Sequence, residues 1–393
     1  MKNLYIFLIT LFVFNFSNAQ IVDIPDENFK NVLLNYNPVI DINDDGEIQV
    51  SEAELVTSLV LVNLGIMSLE GISSFTNIID IYIESNPLVS LDFSQNTNLE
   101  VIHCNDNELV SLNVSQNQNI RILECVNNSI TTIDVSQNLN LLELWCGINN
   151  ISNLDVTNNV NLEKLSFMDN EISEIDVTEN VNITLLSFID TNINNIDISQ
   201  NINLEVLFCD VNELSELNVS QNPNLKRLSV TNNLLTNLDI SQNPNLEKIN
   251  CDNNFLQNLN IKNGNNLNFV FMFANNNPNL TCIQVDDVDY ANSQDCDINL
   301  WCKDDWATYS EECILGVEDY NLISFTIYPN PAQDILNIET QQPIETLKIY
   351  NLQGQLIKED STHSINVSQL NAGLYFVQLT LEGKTVTKKF LKE

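Results

Sequence analysis

The sequence predicts a mainly β protein: a solenoid of 21-residue coils with a parallel sheet on its concave face, a small α-helical cap in front, and an Ig-like β-sandwich behind. Three observations lead there. Apolar residues recur 21 apart at Leu91, Leu112, Ile133, Leu154, Ile175, Ile196, Leu217, Leu238 and Leu259. Past residue 324 this spacing gives way to short alternating strands split by turn signals. Charge divides at the same place: residues 325–393 hold seven acids and six lysines, whereas the 393-residue chain has a formal net charge of -38. The acidic upstream part excludes general nucleic-acid binding, which needs a basic footprint, and disfavours anionic membranes.

Residues 1–19, "MKNLYIFLITLFVFNFSNA", pair one lysine with an apolar stretch and small residues Ser17 and Ala19. They read as a secretory signal peptide cut after Ala19. Leu4–Phe14 is too short to span a bilayer, which takes about 20 apolar residues, and no later stretch is long enough. No transmembrane segment is expected.

Residues 20–55 form the cap. An amphipathic stretch with Phe29, Val32 and Leu33 leads into "DINDDGEIQVSE" at 41–52. Asp41, Asn43 and Asp45 stand at positions one, three and five of an EF-hand-like loop, with Gly46 at the sharp turn. Glu47 offers its carbonyl at seven, Gln49 stands at nine, and Glu52 supplies the bidentate carboxylate at twelve. The spacing predicts a structural Ca2+ ion that staples the cap to the solenoid.

Residues 56–279 form the solenoid. Two irregular coils, from Val56 and Ile78, precede nine regular ones, with a partial coil expected at Ile283. A single coil cannot bury its apolar residues; stacked coils bury them against one another. Within each coil the pattern is L-x-x-L-x-L-x-x-N-x-L-x-x-L, as in Leu204, Leu207, Cys209, Asn212, Leu214 and Leu217. This pattern resembles the leucine-rich-repeat family. The resemblance implies a strand around Leu207 in each coil, at a parallel-sheet spacing of about 4.8 Å. Asn107, Asn128, Asn149, Asn170, Asn212, Asn233 and Asn254 sit where the chain turns inward, and an amide there satisfies backbone groups the turn leaves open. Thr191 interrupts that row. The polar "SQNxN" return leaves no room for a full helix.

The nine cysteines fall into two groups. Cys104, Cys125, Cys146, Cys209 and Cys251 share a position held elsewhere by Phe167, Phe188, Val230 or Met272, so they read as buried thiols. Cys282, Cys296, Cys302 and Cys313 cluster at 280–316, which in an exported chain implies two disulfides in a C-terminal cap. Three pairings are possible, of which Cys282–Cys313 with Cys296–Cys302 is favoured. A further row, Asp92, Asp134, Asp155, Asp176, Asp197 and Asp239, reads first as solvated turn caps.

No nucleophile–base pair, zinc spacing or phosphate loop is present, so the chain is not expected to be an enzyme. One row should instead point outward from the concave sheet: Val60, Tyr82, His103, Glu124, Trp145, Ser166, Ser187, Phe208, Ser229, Asn250 and Phe271. Tyr82, His103, Trp145, Phe208 and Phe271, with Phe269 nearby and Lys164, Arg227 and Lys248 beside them, form the expected face for a protein or glycan ligand. The alternative is a structural or adhesive surface protein without one specific ligand.

After a linker at 317–324, residues 325–393 read as short strands of a small sandwich. "YPNPAQDILNIE" (328–339), "IYNLQGQLI" (349–357), "LNAGLYFVQL" (370–379) and the closing "KKFLK" resemble the type A C-terminal sorting domain of the type IX secretion system. The resemblance implies recognition by that secretion machinery, passage through the periplasm, and a final place at the surface of, or outside, a Gram-negative cell of the Bacteroidota type.

Overall fold

The structure is a computed structural model that describes residues 20–313, 325–340, 343–381 and 384–393. The expected signal peptide (1–19) and linker (317–324) lie outside the described residues. The chain divides into two compact units, one ending at Cys313 and one beginning at Ile314.

In the first unit, twelve strands from Ser58–Val60 to Trp301–Lys303 form one parallel sheet. From Val101–His103 to Lys248–Asn250 each strand pairs with the next at a shift of 21 residues, as in Leu207 with Leu228. From Ser58–Val60 to Lys248–Asn250 each strand sends its middle residue inward; Ile102, Leu123, Leu144, Leu165, Leu186 and Leu207 are all fully buried. Each such leucine contributes about 1.5–3 kcal/mol by burial, and the same positions stack along one continuous core. The return side has no long helix. It carries 3-10 turns at Ile72–Ser74 and Asn266–Asn268 and a second parallel sheet of Asn237–Asp239, Asn258–Asn260, Cys282–Gln284 and Thr308–Ser310.

Asparagine joins the coils. Asn149 Nδ2 donates to the carbonyls of Cys125, Cys146 and Gly147 at 3.0–3.1 Å, and its Oδ1 accepts from Ile130 N at 3.0 Å. Asn128, Asn170 and Asn233 repeat the arrangement at the same position of other coils. A second row, Asn96 to Asn243, was legible only as part of the polar return phrase, yet it is fully buried. Its Nδ2 groups donate to carbonyls 24 and 21 residues upstream, as Asn138 does to Val114 and Asn117. Just past each of the first eleven strands of this sheet one residue adopts a left-handed φ, among them Asn127, Asn232 and Asn253 at 55–56°.

The array departs from the expected register near its end. Ile249 pairs with Met272, a shift of 23 residues, because the turn at Asn263–Asn266 holds two extra residues. Met272 therefore does not share the cysteine position; Ala274 does, next to Cys251. Phe271 pairs with Lys248 rather than with Asn250, whose partner is Phe273. Phe269 is not on the face: it is buried and its ring lies 5.8 Å from Trp301. The cap also contains more solenoid than expected, since Trp301–Lys303 pairs with Met272–Ala274 as the twelfth strand. Disulfides join Cys282 to Cys313 and Cys296 to Cys302.

At the front, helix α1 (Glu27–Leu34) is capped by Asp26, whose carboxylate accepts from Phe29 N, and it buries Phe29 and Leu33. Only one helical turn, α2 (Val50–Ala53), closes the 41–52 loop. This is less than a full helix–loop–helix. The loop instead pairs with the start of the described chain, through Val22 N to Ile48 O and Val50 N to Gln20 O, both 2.8 Å.

The second unit has two antiparallel sheets. Thr326–Tyr328, Ile335–Glu339 and Ser364–Asn366 form one. Leu356–Asp360, Ile344–Tyr350, Gly373–Leu381 and Lys384–Lys392 form the other, in that order. Their shared core includes Phe325, Leu336, Leu347, Ile349, Val377 and Phe390.

Candidate functional site

The concave sheet presents three outward rows. The middle row runs Tyr82, His103, Glu124, Trp145, Ser166, Ser187, Phe208, Ser229 and Asn250, as neighbouring strands pair. Trp145 and Phe208 are half-buried, and Ser166 and Ser187 between them are buried. Three strand spacings separate the two aromatic positions, about 14 Å. Trp145 is held by its Nε1, which donates to Glu143 Oε2 at 3.1 Å, while Lys164 Nζ bonds Glu143 Oε1 at 2.9 Å. Leu185 and Val206 flank this stretch on one side, and Met168 and Ile189 on the other, all partly exposed. Met168 leans over Gly147: a Cβ at Gly147 would stand 2.8 Å from Met168 Cγ. The middle of the sheet thus gathers partly exposed apolar side chains in an acidic chain, with Ser166 and Ser187 between the two rings.

The other expected face residues sit on strands to either side of it. Tyr82 stacks on His103 with ring centroids 4.7 Å apart. Phe271 stacks on Phe273 at 4.9 Å, with Lys248 Nζ 5.9 Å from the Phe271 ring. Arg227 is exposed. The expected ligand residues thus form three groups along the sheet rather than a single pocket.

In the 41–52 loop, Asp41 and Glu52 are buried. Asp41 accepts Asp45 N and Gly46 N at 3.2 and 3.0 Å, which curls the chain at Gly46, where φ is +80°. Asn43 Oδ1 accepts Asp45 N at 3.0 Å. Glu52 Oε1 accepts Ile42 N at 2.8 Å and Oε2 accepts Gln49 N at 3.0 Å. Gln49 Nε2 donates to both Asp45 oxygens. The Glu47 side chain pairs with Lys30 at 2.6 Å, so only its carbonyl is left to serve position seven. The backbone N–H of Glu47 and two amide donors hold the Asp45 carboxyl below the usual carboxylate range. The donor set suits an oxygen-seeking cation, and its carboxylates are at present bonded to the loop's own N–H groups.

The aspartate row behaves as turn caps. Asp92, Asp134, Asp155, Asp176, Asp197 and Asp239 each accept the backbone N–H two residues on, at 2.8–3.0 Å. The five solenoid thiols are buried and free, and burial pushes them up, Cys125 to about 12. Among the described residues no helix is long and apolar enough to cross a membrane.

Comparison with known proteins separates the two units. Residues 326–393 match the family described as the secretion system C-terminal sorting domain. Over 68 residues the chain is 38% identical to beta-agarase D of Zobellia galactanivorans, a stretch that spans 16% of this chain and 14% of the agarase. An internalin of Listeria monocytogenes shares 19% identity at a TM-score of 0.53, covering 66% of this chain and 83% of the internalin. A leucine-rich-repeat protein of Leptospira interrogans shares 20% at a TM-score of 0.51, covering 60% and 75%. At these identities the likeness is one of fold. The chain is a leucine-rich-repeat solenoid carrying, at residues 326–393, a secretion system C-terminal sorting domain.

Proposed function

We propose that this is an exported, non-catalytic recognition protein that binds a partner on its concave face, having been delivered by the type IX machinery through its terminal domain. The patch of Trp145, Phe208, Leu185, Val206, Met168 and Ile189 carries the reading. Half-exposed aromatic anchors within an aliphatic surround are what binding hot spots are built from. That aliphatic surround favours a protein over a glycan, whose hydroxyls would call for more polar groups around the rings. Partners would be found by pull-down on the secreted chain, and affinity measured by calorimetry for the wild type and Trp145→Ala/Phe208→Ala. A loss of about 2 kcal/mol or more per anchor is expected, with an unchanged circular dichroism spectrum. Full affinity in the double variant would refute the site.

The 41–52 loop is proposed to hold a structural Ca2+ ion through Asp41, Asn43, Asp45, the Glu47 carbonyl, Gln49 and Glu52. The curl around Asp41 and the donor types support this. The ion would supply the positive charge that three nearby carboxylates lack and would fix the cap. Calcium should raise the melting temperature of the wild type and leave Glu52→Gln unmoved; equal response of the two proteins would exclude it.

A further inference from the structure

Toward the front of the same sheet, three ligand-bearing side chains from successive coils meet. His103 ends the strand Val101–His103, Glu124 ends Ile122–Glu124, and Glu84 lies two residues beyond Asp80–Tyr82. His103 Nδ1 is 3.0 Å from Glu124 Oε2 and 3.8 Å from Glu84 Oε1. One ligand atom of each lies within 4.8 Å of the other two, the one such trio of His, Cys, Asp or Glu among the described residues. Among the described residues no lysine or arginine neutralises it: the ion-pair contacts of both glutamates are with His103. Two carboxylates against one imidazole leave net negative charge in either state of the ring.

The arrangement is held from outside. Asn105 Nδ2 donates to Glu84 Oε1 and Glu124 Oε2, each at 2.9 Å, and its Oδ1 accepts Val126 N at 2.8 Å. The backbone bond therefore fixes which end of the amide faces the carboxylates. Tyr82, stacked at 4.7 Å, fixes the plane of the imidazole. Outer bonds of this kind orient ligands in metal centres. The side chains of His103, Glu84 and Glu124 are 18%, 30% and 25% exposed, sheltered yet reachable from solvent.

We propose that Glu84, His103 and Glu124 form a site for a borderline divalent transition-metal ion of the Zn2+ class on the concave face. One nitrogen and two carboxylate oxygens with positions left open to solvent are the donor pattern of such ions, whereas Ca2+ and Mg2+ choose oxygen alone. The site is separate from the front loop. It adjoins the aromatic patch through Glu124, whose register partner is Trp145.

The test uses Zn2+ alone as probe, on the whole exported chain, with calcium in excess to fill oxygen-only sites. Equilibrium dialysis with metal analysis should find one zinc per chain, lost in His103→Gln and in Glu84→Gln/Glu124→Gln. Asn105→Ala should weaken it about 10–100-fold without abolishing it. Circular dichroism and melting in chelator check that each variant folds. The chain has two histidines, so imidazole NMR reads the site directly: the His103 nitrogens should shift with zinc and those of His363 should not. Zinc uptake that survives in a folded His103→Gln, or a His103 signal indifferent to zinc, overturns the proposal.

Discussion

Thr191→Asn should stabilise the solenoid. In the coil before, Asn170 bonds the carbonyls of Cys146, Phe167 and Met168 and accepts Ile151 N. Thr191 has a single hydroxyl proton, shared between Phe188 O at 3.3 Å and Asn212 Oδ1 at 2.7 Å. An asparagine there restores the cross-coil bond to Phe167 O and gives Ile172 N an acceptor, while giving up the hydroxyl bond to Asn212. Two bonds gained for one lost, with a buried N–H newly satisfied, come to about 1–2 kcal/mol. The reverse change, Asn149→Ala, removes four bonds and strands Ile130 N–H, a loss of about 3–4 kcal/mol. Urea titration followed by circular dichroism compares both variants with the wild type, and hydrogen exchange reads opening of the coils around Thr191. If Thr191→Asn is neutral or harmful while Asn149→Ala costs under about 1 kcal/mol, the amide row does not hold the coils together.

Three further outcomes are expected. Val211 and Ile148 occupy left-handed turn positions with φ of 56° and 54°, where most other coils have asparagine or aspartate; Val211→Asn should add about 1 kcal/mol in the same titration. The Cys282–Cys313 link closes 31 residues, so Cys282→Ser/Cys313→Ser should cost about 3.5 kcal/mol by the loop-entropy relation, read as a lower melting temperature. Asp155 and Asp176 are held below the ordinary carboxylate range by the hydroxyls, then the backbone N–H groups, of Thr157 and Thr178; repulsion from neighbouring aspartates is the smaller effect on Asp155. A carboxyl depressed in the folded state contributes above its unfolded pKa, and that contribution fades as pH falls below about 4. Asp155→Asn/Asp176→Asn keeps an acceptor at each turn, as Asn113 does for Ser115 N, so its acid-unfolding curve should be flatter than the wild type's.

A fixed repeat makes most of this fold readable, because burial, strand and turn recur at the same interval. Reading fails where the interval changes. Two extra residues near Asn263–Asn266 leave Phe271, Met272 and Phe273 as a run of apolar residues in which more than one alignment looks sound, and only the pairing with Lys248–Asn250 decides it. The twelfth strand escapes notice because helix α3 (Val288–Ser293) and a disulfide loop stand between it and the previous one. Residues of the candidate site were legible in part. His103 and Trp145 stand out as outward residues of one coil each. Glu84 and Asn105 belong to a row with no recurring residue type, and their meeting with His103 exists only after three coils are stacked. The buried Asn96–Asn243 row looked like polar return sequence because its burial comes from neighbouring coils.

The unbroken 21-residue register from Val101–His103 to Lys248–Asn250 makes these coils interchangeable to the backbone. A gene can lose or duplicate one period in frame and still encode a chain whose strands, amide rows and core close up. What changes is the spacing between Trp145 and Phe208, or between either ring and the glutamate–histidine cluster. Copy number in the DNA thus sets distances along the sheet in steps of one strand, about 4.8 Å each, while both capped ends stay untouched.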